Sequence, residues 1–269
     1  MASSVSYRER ASRHPHPVAR RLFEIAETKK SNLVISADLT DTASLLQCAD
    51  TLGPYIAVFK THIDIVADFS PRTVEGLLRL AAKHNFLIFE DRKIVDIGST
   101  AQKQYHGGAL RLSEWADVVN LSILGGEDVV RALDEVITHQ GFPYRGERAL
   151  LLLAEMTSEG SMATGAYTRR CVEVVGKYPG SVIGFVAKSQ LTPVKPGEAD
   201  HVVFTTGINN AAAGDALGQV YQKPRDAARN GSDFVIAGRG IYGASDPVKA
   251  AKEYQEEGWQ GYLERLESE

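Results

Sequence analysis

Eight short runs of aliphatic and β-branched residues punctuate the chain: LVISAD (33–38), YIAVFKT (55–61), NFLIFED (85–91), DVVNLS (117–122), ALLLLAE (149–155), SVIGFVA (181–187), HVVFTT (201–206) and DFVIAG (233–238). Most are apolar at every position rather than at alternate ones, the pattern of strands covered on both faces in a parallel sheet. Apolar residues recur at helical spacing between them. In RTVEGLLRLAAKH (72–84), Val74, Leu77, Leu78 and Ala81 fall at i, i+3, i+4 and i+7, and Ser70-Pro71 supplies the cap and first turn. A closing helix begins at Asp246-Pro247 and carries Val248, Ala251, Tyr254, Tyr262 and Leu266. Near the N-terminus, Val18, Leu22, Ile25 and Ala26 share one helical face, suited to plugging the bottom of a barrel.

Eight β/α alternations with no linker or low-complexity break predict an α/β fold: a single (β/α)8 TIM barrel over 1–269 with an extra N-terminal helix. A doubly wound sheet is the structural competitor, and the strand count favours the barrel. A length of 269 residues suits one such barrel.

Charge and cysteine usage narrow the partners. Net charge is −4 and no Lys/Arg tract stands out, which argues against nucleic acid or an anionic membrane as the main partner. Cys48 and Cys171 fall in no metal-binding spacing and read as reduced, structural thiols. The first 21 residues hold no apolar signal core, and no apolar run approaches the ~18 residues of a membrane span. The expectation is a cytoplasmic protein, in which the sequons at Asn120 and Asn230 carry no meaning. His14 and His16, in HPHP, read as solvated loop histidines rather than metal ligands.

The stretch FEDRKIVDIGST (89–100) is the first with candidate chemistry. Alternation along a strand puts Asp91 and Lys93 on one face and Arg92 on the other, with Asp96 in the following loop. Burying such charges is expensive unless they are paired. By itself the segment favours a site over a merely salt-bridged strand end, and the rest of the chain has to decide. In a barrel, working residues sit at the C-terminal ends of strands. Asp38 ends the first run, Lys60 lies at the end of the second and Asp91 ends the third; Glu155 to Ser158 follow the fifth, and Gly238-Arg239 close the eighth. Charges at one rim describe a polar pocket.

GRGIYG (238–243) matches GxGxxG literally, but only 26 residues follow Gly243, so the acid that a dinucleotide fold needs one strand later has no place. What survives is anion binding: glycines admit a phosphate to the backbone, helix-start N–H groups point at it, and Arg239 adds a charged fork. The long loop 207–224 reads as a lid whose Gln219 and Tyr221 could reach that phosphate.

These motifs together resemble the orotidine 5′-monophosphate decarboxylase family. The resemblance rests on Lys60-Thr61-His62-Ile63-Asp64, on Asp91-Arg92-Lys93-Ile94-Val95-Asp96-Ile97-Gly98, on AEMTSEGSMATG (154–165), on Gly214 to Gln219 and on AGRGIY at the last strand end. It runs from about residue 5 to the C-terminus. It implies removal of CO2 from C6 of the orotate ring with no cofactor and no metal. By position Lys60, Asp91, Lys93 and Asp96 would be the catalytic Lys-Asp-Lys-Asp array. Asp38 would bind a ribose hydroxyl; Thr157 and Gln219, the pyrimidine edge; Gln219, Tyr221 and Arg239, with Gly238, the phosphate. Asp96 and Thr100 would enter a neighbouring subunit's site, implying a homodimer. His62 belongs to the motif and is assigned to structure rather than catalysis. Thr206 stands where the family has Pro, and Thr157 where some members have Ser.

Direct decarboxylation leaves an electron pair on C6, so the site must favour charge there over charge on the departing carboxylate. An ammonium fixed at C6, Lys93, meets that need and can then deliver a proton. Three rivals stand beside this reading. Magnesium-dependent sugar-phosphate decarboxylases and synthases share a DxKxxD pattern, but the KTHxD run and the lid favour the pyrimidine enzyme. A Schiff-base role for Lys93 conflicts with carboxylates that keep it protonated. A catalytically inactive phosphate-ligand-binding barrel conflicts with every charged position being intact.

Overall fold

The structure, a computed structural model, describes residues 5–194, 200–210, 218 and 220–268. Eight parallel strands, β1 (Leu33–Ala37), β2 (Val58–Thr61), β3 (Leu87–Ile94), β4 (Val118–Leu121), β5 (Ala149–Leu153), β6 (Val182–Val186), β7 (Val202–Ile208) and β8 (Phe234–Ala237), pair in sequence order. Pairing of β8 with β1, Val34 opposite Ile236, closes the barrel. Two helices precede the barrel, α1 (Tyr7–Arg13) and α2 (Pro17–Lys29). Helices α3 (Thr42–Leu52), α4 (Pro71–His84), α5 (Gly98–Tyr105), α6 (Asp128–Thr138) and α7 (Ala166–Val175) follow β1 to β5 in turn, and α8 (Pro224–Arg229) follows β7. After β8 come the one-turn α9 (Arg239–Tyr242) and the closing α10 (Pro247–Glu267). Among the described residues the β6–β7 connection holds no helix, so the alternation expected from the sequence is incomplete at that point.

The uniformly apolar runs are explained by two cores. One side of each strand packs under the outer helices. The other fills the barrel interior and meets Tyr7, Val18, Leu22, Phe23, Ile25 and Ala26 from α1 and α2, which close the bottom. Tyr7 stacks on Tyr262 of α10 with centroids 3.9 Å apart, and its hydroxyl donates to the Asp233 carbonyl at 2.7 Å. Arg10, fully buried, pairs with Asp200 at 2.6 Å and Asp233 at 2.5 Å. A buried charge that lost either partner would be costly, so this network fixes the base and leaves the opposite rim for chemistry.

Three expectations need correction. Leu78 does not join the buried stripe of α4: it is 42% exposed, and the covered line runs through Thr73, Leu77, Leu80 and Ala81. Each residue turns about 100° around a helix, so only one of the adjacent Leu77 and Leu78 can face the sheet. His14 and His16 are buried, not solvated. His16 caps α2 by accepting the Val18 N–H at its Nδ1, 3.2 Å away, and His14 Nδ1 accepts the His16 N–H at 3.1 Å. Short polar side chains would ordinarily do this capping, and Pro17 at the first helical position marks the start. Finally, β3 runs past Asp91 to Ile94.

Candidate active site

That extension shapes the rim. Pairing of β3 with β4 shifts between Glu90 opposite Val119 and Ile94 opposite Leu121, so two residues too many are accommodated on β3. Lys93 takes a left-handed backbone, φ 50°, which costs a non-glycine residue roughly 1–2 kcal/mol. Its N–H is held by Asn120 Oδ1 at 2.7 Å. Simple strand alternation therefore does not explain why Lys93 and Asp91 meet; the bulge does.

Asp91 is the hub. It is 6% exposed, and its Oδ1 accepts Lys93 Nζ at 2.7 Å and Asn120 Nδ2 at 2.6 Å. Its Oδ2 accepts Lys60 Nζ at 2.7 Å. Burial by itself would raise the Asp91 pKa, but Lys60 and then Lys93 hold it well below the usual carboxylate range. Arg92 points away, to Asp64 at 3.6 Å.

His62 stands inside this array. Its Nε2 is 2.9 Å from Lys60 Nζ, 3.4 Å from Asp91 and 3.9 Å from Asp38. Burial first, and Lys60 second, lower its pKa against the pull of Asp91. An ammonium has no lone pair, so Nε2 accepts from Lys60 and the imidazole proton sits on Nδ1. Lys60, His62 and Asp38 line one part of the mouth; Asp38 accepts the Ser36 hydroxyl at 2.8 Å.

That part continues into the glycine turn after β8. Gly238 and Gly240 line it with Arg239, whose Nη2 donates to the Tyr221 hydroxyl at 2.9 Å. A Cβ on Gly240 would lie 2.5 Å from the Tyr254 hydroxyl, so only glycine fits there. Tyr254 also accepts the Asn210 N–H at 2.8 Å, tying α10 to the end of β7. On the other side, Asp91 and Lys93 face Glu155, Met156, Thr157 and Thr206 across a second hollow. Thr157 and Thr206 bond through their hydroxyls at 3.1 Å.

Of the residues singled out in the sequence, the fold brings Asp38, Lys60, Asp91, Lys93, Thr157, Tyr221, Gly238 and Arg239 to one mouth. Two stand apart from it. The Asp96 carboxylate accepts Ile97 N–H at 2.8 Å and the Gln104 side-chain amide at 3.2 Å, and among the described residues it pairs with neither lysine. Thr100 lies in α5. Gln219 and 211–217 lie outside the described residues. Asn120 and His62 were not read as working residues. Asn120 had one usable signal, a lone amide inside the apolar run DVVNLS.

Comparison with known proteins bears on this geometry. Residues 31–254 match the model of the orotidine 5′-phosphate decarboxylase / HUMPS family. The chain is 58% identical to an orotidine 5′-phosphate decarboxylase of Penicillium nalgiovense over 98% of both chains. It is also 58% identical to an orotidine 5′-phosphate decarboxylase of Aspergillus fumigatus, over 98% of this chain and 97% of the relative. Among solved structures, the orotidine 5′-monophosphate decarboxylase of Methanocaldococcus jannaschii complexed with inhibitor BMP superposes with a TM-score of 0.61 at 23% identity, covering 84% of this chain and 97% of that one. The UMP synthase of Leishmania donovani superposes with a TM-score of 0.65 at 20% identity, over 93% of this chain and 56% of that one. At such identities these two likenesses speak to the fold.

Proposed function

We propose, from the premise that the chain belongs to the orotidine 5′-phosphate decarboxylase / HUMPS family and catalyses the decarboxylation of orotidine 5′-monophosphate to uridine 5′-monophosphate, that Lys60, Asp91 and Lys93 carry the reaction. The enzyme is a carboxy-lyase, and the sugar-phosphate alternative is not favoured. The observation that carries the assignment of roles is the row Lys93–Asp91–Lys60, two contacts of 2.7 Å each, with Asp91 and Lys60 buried and Lys93 partly exposed at the mouth.

The phosphate is held by Arg239, Tyr221 and the N–H groups around Gly238, which leaves the pyrimidine between Thr157 and the charged row. The substrate carboxylate then lies beside Asp91, which Lys60 keeps ionised. When the C6–carboxylate bond breaks, CO2 departs and its bonding electrons stay on C6. The Lys93 ammonium stabilises that pair and passes it a proton, forming the C6–H bond of the product; solvent then reprotonates the amine. These charges are fixed in place before the reaction, so little reorganisation accompanies bond breaking. His62 orients Lys60 by accepting a hydrogen bond from its ammonium at 2.9 Å. Every step belongs to side chains of the protein, with no metal and no cofactor.

A second copy of the chain completes the site in this reading. Val95, Ile97 and Leu124 are 49%, 72% and 73% exposed, and Asp96 lies between the first two in sequence, pairing with neither lysine among the described residues. A partner covering this apolar surface would receive Asp96 and Thr100 next to its own lysine.

Loss of orotidylate ultraviolet absorbance tests the function. Purified protein in excess EDTA is expected to convert orotidylate to uridylate at the rate seen without chelator. No conversion in either condition would refute the activity; conversion abolished by EDTA would refute the metal-free route.

A further inference from the structure

Directly behind Asp91, on the face of β3 turned to the helices, Glu90 is fully buried and forms no ion pair among the described residues. Its carboxyl group instead grips the end of β2. Thr61 Oγ1 bonds to Oε2 at 2.6 Å, and the Ile63 N–H donates to both oxygens at 3.1 Å. Thr61 and Glu90 are also direct partners across the strand pair.

We infer that Glu90 is a positioning residue: from behind the sheet it fixes the turn that presents Lys60 and His62 to Asp91. The chain leaves β2 at Thr61 and tightens at once into the one-turn helix Ile63–Ile65, with His62 as its first flanking residue. The opening N–H groups of such a turn have no partner within it. Ile63 is fully buried, so water cannot supply one. Glu90 accepts that N–H and the neighbouring hydroxyl together, on either side of His62. Lys60 precedes this clamp and His62 lies inside it. A shift of the turn moves both side chains relative to Asp91, which β3 holds independently.

A carboxyl group suits the place because it need not be charged there. Burial pushes Glu90 up to about 8, against the opposing effects of the Thr61 and Ile63 bonds. The charged groups that act on it are Lys60, which favours ionisation, and Asp64, which opposes it. An uncharged acid can grip the turn without adding a second negative charge beside Asp91.

The inference rests on the decarboxylase reading, which the turnover of orotidylate by the unmodified protein checks separately. Glu90→Leu, Glu90→Gln and Thr61→Val are compared with that protein by steady-state kinetics and thermal melting. Glu90→Leu is expected to lower kcat about 100-fold, the scale on which a misplacement near 1 Å acts. KM should stay within about threefold, because the phosphate cradle stands on β8 and uniform binding is untouched. Glu90→Gln keeps an acceptor for the Ile63 N–H and should regain most of the lost kcat. Adding Glu90→Leu to His62→Ala should cost less than the two single losses multiplied, since both changes act on the placement of Lys60. Parent-like kcat in soluble Glu90→Leu, or a loss confined to KM and melting temperature, would overturn the inference. If Glu90→Leu does not fold, Thr61→Val decides: a fall in kcat at constant KM supports the clamp, and an unchanged kcat removes it.

Discussion

The hydroxyls of Thr157 and Thr206 lie 3.1 Å apart, joining the loop after β5 to the end of β7 across the hollow that Asp91 and Lys93 line. A proline at 206 could offer no hydroxyl; Thr206 offers one, and the pair supplies the tie. Thr206→Val keeps the shape and removes the bond. It should lower kcat/KM by a factor corresponding to about 1 kcal/mol. Thr157→Val should cost about the same, and the double variant no more than either, which a kinetic double-mutant cycle reads.

Asn120 supports both members of the central pair, donating to Asp91 at 2.6 Å and accepting the Lys93 N–H at 2.7 Å. Asn120→Ala leaves a left-handed lysine without its anchor and a buried carboxylate short of a donor. Unfolding free energy should fall by about 1–3 kcal/mol, and kcat should drop further than stability alone explains. Asn120→Asp should be worse, because it sets a second carboxylate against Asp91. Denaturant melts and orotidylate kinetics on the two variants check this.

The strands and their order were legible because a buried parallel strand is apolar on both faces, and eight such runs leave few alternatives. The rim was legible for the same reason: Asp38, Lys60 and Asp91 are conspicuous where an apolar run stops. Asn120 was obscured because it is uncharged and sits within its run. The contacts of His62 within the array were obscured because they depend on the turn at Ile63–Ile65, which no periodicity reveals. Histidines 14 and 16 looked like loop residues because HPHP resembles a solvated turn, whereas the base network around Arg10 and Asp200 encloses them. Lys93 reached Asp91 through a bulge that alternation cannot anticipate.

Those base histidines give the protein an acid-side weakness. Burial lowers His16 from its usual value of 6.5 to about 4, so the folded state keeps it neutral where the unfolded chain binds a proton. The unfolded state holds more protons between those two values, and stability therefore falls as pH drops from about 6.5 towards 4. His16→Asn keeps a side chain able to cap α2 and removes the titration. Its melting temperature should decline less steeply across that window, the difference from the parent approaching at most about 3 kcal/mol at the acid end. Parallel melting curves would show no such contribution.

The proposal that two copies share a site turns on Asp96, which bonds to Ile97 and Gln104 of its own chain. Lys93→Ala and Asp96→Ala proteins should each be nearly inactive alone. Mixed under conditions that exchange subunits, they should regain activity, because one site of each mixed dimer holds an intact Lys93 and the other chain's intact Asp96. Activity that stays absent in a demonstrated mixed dimer would place both residues in a site within one chain.

The central claim, that the Lys93 ammonium stabilises and protonates C6, is tested most directly by chemical rebuilding. Lys93→Cys should bind uridylate and fail to turn over orotidylate, since Arg239 and Tyr221 remain. Alkylation with 2-bromoethylamine restores an ammonium of nearly the same reach, and part of the activity should return, limited by the altered chain in a preorganised site. Unalkylated Lys93→Cys turning over near the parent rate would contradict the claim and return Lys93 to an ion-pair partner of Asp91.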